Sequence, residues 1–260
     1  MEQRDVNFEV MTNTYELSHT SEILKNSLNY SISNQFIVYD DDIVEVMPNS
    51  GNSSIIVSRK RSFEAASYYK GKKVAVLNFA NNRNIGGAPY YANAQEEALC
   101  RCSTLLPCLE SLEKEFYLYH KELIQNKRMD NYGNDDLIYT PSVVVFKSDT
   151  LEPKILDEND WYNVDVITCA APEMFYNYNE EKFINVATKR IKRILDIAYK
   201  QNVEVLILGA FGCGVFRNPP HIVAKIFKEL LTNYDFETVE FAVYSGRDST
   251  NYEIFKNILN

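Results

Sequence analysis

A chain of 260 residues with 45% hydrophobic and 24% charged side chains can bury one sizeable core, and nothing in its composition forces a second. Its formal charge of −9 excludes a broad nucleic-acid-binding face, which needs a basic surface to displace counterions from phosphates. No apolar run approaches the roughly 20 residues of a membrane helix, and residues 1–10 are polar and charged, without the pattern of a signal or transit peptide. A cytoplasmic monomer without membrane or direct nucleic-acid partners is therefore expected.

In chain order, residues 14–30 carry apolar and aromatic side chains at the spacing of an amphipathic helix. Residues 35–46 and 53–57 read as strands around an exposed turn at 48–52, and 62–70 as a helix with Ser62 as N-cap and Gly71 as terminator. The nearly continuous apolar run 74–79 predicts a central strand covered on both faces. A helix beginning near Asn93 passes Cys102, Pro107 breaks it, and a second helix covers 109–124. Residues 126–139 read as a surface loop, 143–146 and 164–169 as strands, and 179–201 as a long helix. A buried strand at 203–208, a helix at 219–231, a strand at 239–244 and a helix at 252–259 complete the chain. Strands alternating with helices imply an α/β domain with a largely parallel or mixed sheet, whose ligands bind beyond the carboxyl ends of the strands. The division expected is an N-terminal extension, 1–50, packed on a main domain, 51–260, as one structural unit.

Two stretches repeat one grammar of strand, glycine turn and helix. The first, 74–105, holds Gly86-Gly87-Ala88-Pro89 and then Gln95-Glu96-Glu97; the second, 205–222, holds Gly212-Cys213-Gly214-Val215-Phe216. Glycine turns let backbone N–H groups converge on an anion, which suits a phosphate ligand inside a net acidic protein. Asn93 followed by Glu96 has the spacing of a capping box, placing Gln95, Glu96 and Glu97 in a first helical turn, where acidic residues also serve the helix dipole. Adjacent helical positions diverge by about 100°, so the two glutamates are expected to have different tasks. Asn78, Asn81, Asn82 and Asn84 supply amides beside the first strand, and Phe216 could stack on a ribose or base or belong to the core. Arg83, Arg101 and Arg217 are read as solvated or paired with Glu96 or Glu97. The five cysteines lack CxxC spacing and read as reduced, mostly buried thiols. With only His19, His120 and His221, each read as a surface or capping residue, no metal centre is expected, nor any cofactor.

Taken together, LNFANNRNIGGAPYYANAQEEALCRCSTL and LGAFGCGVFRNPPHIVAKIF resemble the microbial-type poly(ADP-ribose) glycohydrolase family, a branch of the macrodomain fold. Ser62-Phe63-Glu64-Ala65-Ala66, Tyr139-Thr140-Pro141 and Ala170-Ala171-Pro172 extend the likeness over residues 12–259. The resemblance implies a macrodomain-like central mixed sheet flanked by helices, with an N-terminal helical extension. It implies a glycosidase that hydrolyses the ribose–ribose bond of poly(ADP-ribose), with Glu97 as catalytic acid and Glu96 on a ribose hydroxyl. Gln95 would shape the turn together with Gly86, Gly87 and Ala88, and Asn78 and Asn84 would lie near the distal ribose. Gly212, Cys213, Gly214, Val215 and Phe216 would wrap the diphosphate and its ribose. ADP-ribose or an ADP-ribosylated protein is the implied partner. The chain departs from the family pattern at Ala88, where a third glycine is usual, and at Glu173, where asparagine is usual. The alternatives are a mono-ADP-ribosyl-protein hydrolase, for instance of arginine linkages, and a non-catalytic ADP-ribose-binding macrodomain.

Overall fold

The structure, a computed structural model, describes residues 2–47, 49, 51–174, 179–246 and 248–260. Its strands are β1 (Phe36–Val38), β2 (Ser54–Ser58), β3 (Val74–Phe79), β4 (Leu137–Val145), β5 (Tyr162–Cys169), β6 (Val205–Leu208) and β7 (Thr238–Ala242). Among the described residues they form one mixed sheet in the order β1-β4-β5-β3-β6-β7-β2. β1 and β4 run antiparallel to their neighbours, whereas β5, β3, β6, β7 and β2 are mutually parallel. The helices are α1 (Gln3–Thr20), α2 (Glu22–Asn34), α3 (Ser62–Ala66), α4 (Gln95–Cys102), α5 (Leu105–Glu110), α6 (Tyr119–Gln125), α7 (Glu180–Lys200), α8 (Pro220–Leu231) and α9 (Thr250–Leu259). None of them is long and apolar enough to cross a membrane.

Alternation along β3 explains its apolar run. Ala75 and Leu77 join Phe183, Ile194, Phe227 and Phe255 from α7, α8 and α9, while Val74 and Val76 join Met11, Phe63, Leu99 and Leu105 on the opposite face. A strand buried on both faces has no position left for a solvated side chain. Chain order reverses at β3: β4 and β5 lie to one side, β6, β7 and β2 to the other. The loops after β3 and β6 therefore diverge and leave a crevice at the carboxyl edge, the position where ligands bind in open α/β sheets.

Several expected boundaries change. The helix at 14–30 is two helices, α1 and α2, divided at Ser21, whose hydroxyl accepts from Leu24 N at 3.5 Å. The strand at 35–46 shortens to β1, and the helix at 109–124 resolves into the end of α5, a π-helical turn Glu113–Leu118 and α6. The loop at 126–139 gives way to β4 from Leu137, which continues through Pro141 by shifting register between Thr140 and Val143. Ser62 lies inside α3 and does not cap it; Asp149, far along the chain, accepts from Phe63 N at 2.9 Å. Pro48 and Ser50 of the expected turn lie outside the described residues.

Candidate active site

The crevice encloses about 380 Å³ and is lined from both glycine stretches, by Gly87, Gln95, Glu96 and Glu97 on one side and Gly212, Gly214, Val215 and Phe216 on the other. Arg61, Ser62, Tyr244 and Asn251 line its β2–β7 end.

Gln95 fixes α4 to the sheet. Its Oε1 accepts from Phe79 N at 2.9 Å, and its Nε2 donates to Leu77 O at 2.8 Å and to Ser62 Oγ at 3.0 Å. The expected capping box is absent: Ala94 occupies the N-cap, no side chain closes it, and Asn93 Oδ1 instead accepts from Asn7 and Arg101. The Glu96 carboxyl faces away from the Asn93 backbone and accepts from Asn81 N at 2.8 Å and Asn78 Nδ2 at 3.3 Å. Donors from β3 and the loop after it thus serve the Glu96 carboxyl in place of an N–H at the start of its own helix.

Both glutamates are buried, with 3% and 7% of Glu96 and Glu97 exposed. Although they occupy neighbouring helical positions, their carboxyls converge. A methyl group on Gly87 would lie 2.3 Å from Glu97 Oε1 and 3.3 Å from Glu96 Oε2. Asn81 N draws one side chain and Ala88 N, 3.1 Å from Glu97 Oε1, draws the other toward the same point. Burial pushes the Glu96 carboxyl well above the usual carboxylate range, and the Glu97 charge adds to it, while the Asn81 and Asn78 donors oppose it. Glu97 Oε2 and Asn78 Oδ1 are buried with no hydrogen-bond partner among the described residues. Such atoms are costly in a core but useful where a ligand will meet them. Gly87, with φ +69°, is the residue that makes this space.

The facing loop turns on Gly212, also at positive φ (+72°). A side chain there would collide with Asn218 Nδ2, at 1.9 Å. Asn218 is buried, donates its N–H to Gly212 O at 3.0 Å and leaves Oδ1 unpartnered among the described residues. Gly214 has open space where a side chain would stand, so a ligand can approach its backbone. Burial pushes the Cys213 thiol up and its Sγ lies 3.5 Å from Phe211 O, an environment that disfavours a thiolate.

Arg217 is exposed as expected, whereas Arg83, Arg101 and His120 differ from expectation. Arg101 binds backbone and Asn93, making no hydrogen bond to Glu96 or Glu97, and Arg83 pairs with Glu173 across the loops that follow β3 and β5. His120 is fully buried: Nε2 lies 2.8 Å from Asp136 Oδ2 and Nδ1 lies 3.1 Å from Asn82 O, bracing the loop after β3 from behind. All five cysteines are free, four of them buried. Among the described residues no three His, Cys, Asp or Glu side chains gather as a metal site.

The family model of the microbial-type PARG catalytic domain matches residues 8–148. The chain belongs to the microbial-type PARG family. The crystal structure of poly(ADP-ribose) glycohydrolase from Thermomonospora curvata bound to the inhibitor ADP-HPD is 27% identical, with a TM-score of 0.83 over 96% of this chain and 98% of that one. The enzyme from Deinococcus radiodurans in complex with ADP-ribose is 28% identical, with a TM-score of 0.78 over 89% and 96% of the two chains. No curated protein matched the chain.

Within this PARG-family fold, the residues singled out from sequence fall into three groups. Gly87, Gln95, Glu96, Glu97, Gly212, Gly214, Val215 and Phe216 line the crevice. Asn78, Gly86, Ala88 and Cys213 stand beside or behind these: Asn78 supports Glu96, and Ala88 holds Glu97 through its N–H. Asn84 is exposed and does not line the crevice; its N–H donates to Asn81 Oδ1 at 3.0 Å and its carbonyl accepts from Gly87 N at 3.0 Å. Sequence reasoning named Asn81 for its side-chain amide, whereas its backbone N–H is what meets Glu96; it did not select Asn218, Tyr244 or Asn251. Asn218 stood inside the quoted GVFRN segment, whereas Tyr244 and Asn251 carry no local signal.

Proposed function

We propose that the chain hydrolyses the ribose–ribose O-glycosidic bond of poly(ADP-ribose) and releases ADP-ribose, with Glu97 as general acid. The asymmetry of the Glu97 carboxyl carries this reading. Oε1 accepts from Ala88 N, while Oε2 is buried without a partner among the described residues. The carbonyl oxygen of a neutral carboxyl is the better acceptor, so the N–H on Oε1 favours the neutral acid that carries its proton on Oε2.

In this reading the diphosphate and its ribose lie along Gly212, Cys213, Gly214, Val215 and Phe216, and the distal ribose lies over Glu96, which accepts from a ribose hydroxyl. Asn78 supports Glu96 beneath that ribose, Asn84 stays outside the crevice, and Gln95, Gly86, Gly87 and Ala88 frame the turn. Solved relatives bound to ADP-ribose and to ADP-HPD support an ADP-ribosyl ligand for this crevice. As the bond from the anomeric carbon to the departing oxygen breaks, Glu97 passes its Oε2 proton to that oxygen. Water then adds to the oxocarbenium-like carbon, and its proton returns to Glu97. These steps use protein side chains alone, and addition of a chelator is expected to leave the rate unchanged.

Ala88, in place of the family's third glycine, favours a second reading as a mono-ADP-ribosyl-protein hydrolase, because it puts a methyl group on an exposed residue beside Glu97. ADP-ribose release from poly(ADP-ribose) and from an arginine-linked adduct, by wild type and Glu97→Gln, decides between the two. Release from polymer that disappears in Glu97→Gln supports the first reading; release from the adduct alone supports the second. ADP-ribose binding without release from any linkage removes both and leaves a binding module.

A further inference from the structure

Residues 88–93 carry the chain from the glycine turn to α4 outside helix and strand, yet two buried side chains grip their carbonyls from below. Asn7 on α1 is 1% exposed, and its Nδ2 faces Tyr91 O at 3.1 Å, Ala92 O at 3.2 Å and Asn93 Oδ1 at 2.9 Å. Its two hydrogens are shared among these three acceptors. Arg101 on α4 is 3% exposed; Nη1 donates to Pro89 O at 2.8 Å and Ala92 O at 2.7 Å, and Nη2 to Asn93 Oδ1 at 3.2 Å. Thr14, one face of α1 along from Asn7, donates to Arg101 O at 2.7 Å and ties the two side chains into one assembly. The gripped segment folds back on the turn, because Tyr91 N and Ala92 N both donate to Ala88 O at 2.9 Å. Ala88 N in turn meets Glu97 Oε1.

We infer that Asn7, acting with Arg101, is a positioning residue for Glu97. It holds the Ala88 N–H against Oε1 and thereby turns Oε2 toward the crevice. An apolar residue would bury the same face of α1 without the desolvation cost of an amide, so the cost is met by what the amide holds. The activity readout of this inference rests on the hydrolase reading above.

The test compares Asn7→Ala and Asn7→Asp with wild type. Asn7→Asp matches the amide in size but sets a carboxylate against three oxygen acceptors, so it separates donation from packing. Both variants are expected to lose roughly 10- to 100-fold in kcat, as a misplacement of about an ångström at a reacting group does, while ADP-ribose affinity stays at the wild-type level. Amide exchange across 88–92 accelerates in both. In Asn93→Ala, a change at an exposed position that removes the acceptor both side chains share, it accelerates as well. Wild-type kcat in either Asn7 variant overturns the inference, as does ADP-ribose affinity that falls in step with kcat. A wild-type protein that binds ADP-ribose but releases none sinks the hydrolase reading alone. Amide exchange then decides the positioning role: acceleration in the variants supports it, and unchanged exchange overturns it.

Discussion

Replacing Gly87 with alanine separates the stability of this fold from its chemistry. The backbone there has φ +69°, a conformation that costs an L residue about 1–2 kcal/mol. The added methyl would stand 2.3 Å from Glu97 Oε1 and 3.3 Å from Glu96 Oε2, the flexible ends of two side chains rather than backbone. Those ends can swing aside, so the steric cost to the fold is small and Gly87→Ala should lower Tm by only about 2–8 °C, the shift that 1–2 kcal/mol produces in a domain of this size. Catalysis has no such relief. Glu97 must retreat by about an ångström to reach ordinary contact, which pulls Oε1 off Ala88 N and misaims Oε2, and kcat should fall by about 100-fold. The assay is the initial rate of ADP-ribose release alongside thermal melting. A Gly87→Ala protein with kcat within roughly threefold of wild type refutes the placement of Glu97 as the acid, since a displacement of this size should cost far more.

Other expectations follow from the same geometry. Glu96 has a folded-state pKa raised by burial above its ordinary 4.5, so the folded state binds more protons than the unfolded state through that window and stability falls as pH rises. Glu96→Gln should therefore be inactive yet more resistant to urea at pH 8, with the gain shrinking toward pH 4.5; a gain independent of pH would contradict the assignment. Lys147, 2% exposed, is lowered by burial from 10.5 to about 8, so stability rises with pH between those values and the penalty is complete below 8. Lys147→Met should stabilise by about 1–2 kcal/mol at pH 7, after allowing for the lost bond to Val10 O, and should turn destabilising near pH 10.5, where only that loss remains, as denaturant titrations at the two pH values would reveal. Gly214→Ala, which meets nothing within 4 Å, should leave Tm unchanged but weaken ADP-ribose binding by calorimetry; unchanged affinity would remove Gly214 from the diphosphate path.

The two strand–turn–helix units were legible because their signals are local and redundant. A run such as Val74 to Leu77, apolar on both faces, admits no other reading, and the glycines and glutamates that follow lie within a single loop and helix turn. The N-terminal helix was harder to see. The residues α1 buries are Asn7, Met11, Thr14 and Ser18, a stripe at helical spacing made mostly of polar side chains. Hydropathy is blind to such a stripe, because its members are buried by bonding to distant backbone, as Thr14 does with Arg101. β4 was obscured by Pro141, which cannot donate within a ladder; the strand passes it with Ser142 at φ 56° and with Ser142 N bonded to Asp165 Oδ1 at 2.9 Å. The capping box failed because spacing alone cannot tell whether a glutamate turns back to its own helix or outward to Asn81 N. Asn7, Asp149 and Asn218 act on partners far along the chain or leave an atom unpartnered, and neither habit marks a sequence.

Gln95 has a consequence for how this site can diversify. By accepting from Phe79 N and donating to Leu77 O, its side-chain amide bonds β3 much as a neighbouring strand's peptide group would. The first turn of α4 is thereby indexed to the sheet itself, while the 80–94 connection aims its two carboxyls through Asn81 N and Ala88 N. Insertions or deletions in residues 82–85 can accumulate while the backbone origin of both carboxyls stays registered to a strand buried on both faces. Descendants of this fold can then acquire new rims around two glutamates whose helix keeps its place, so variation in the loop and constancy of that helical turn are two outcomes of one glutamine.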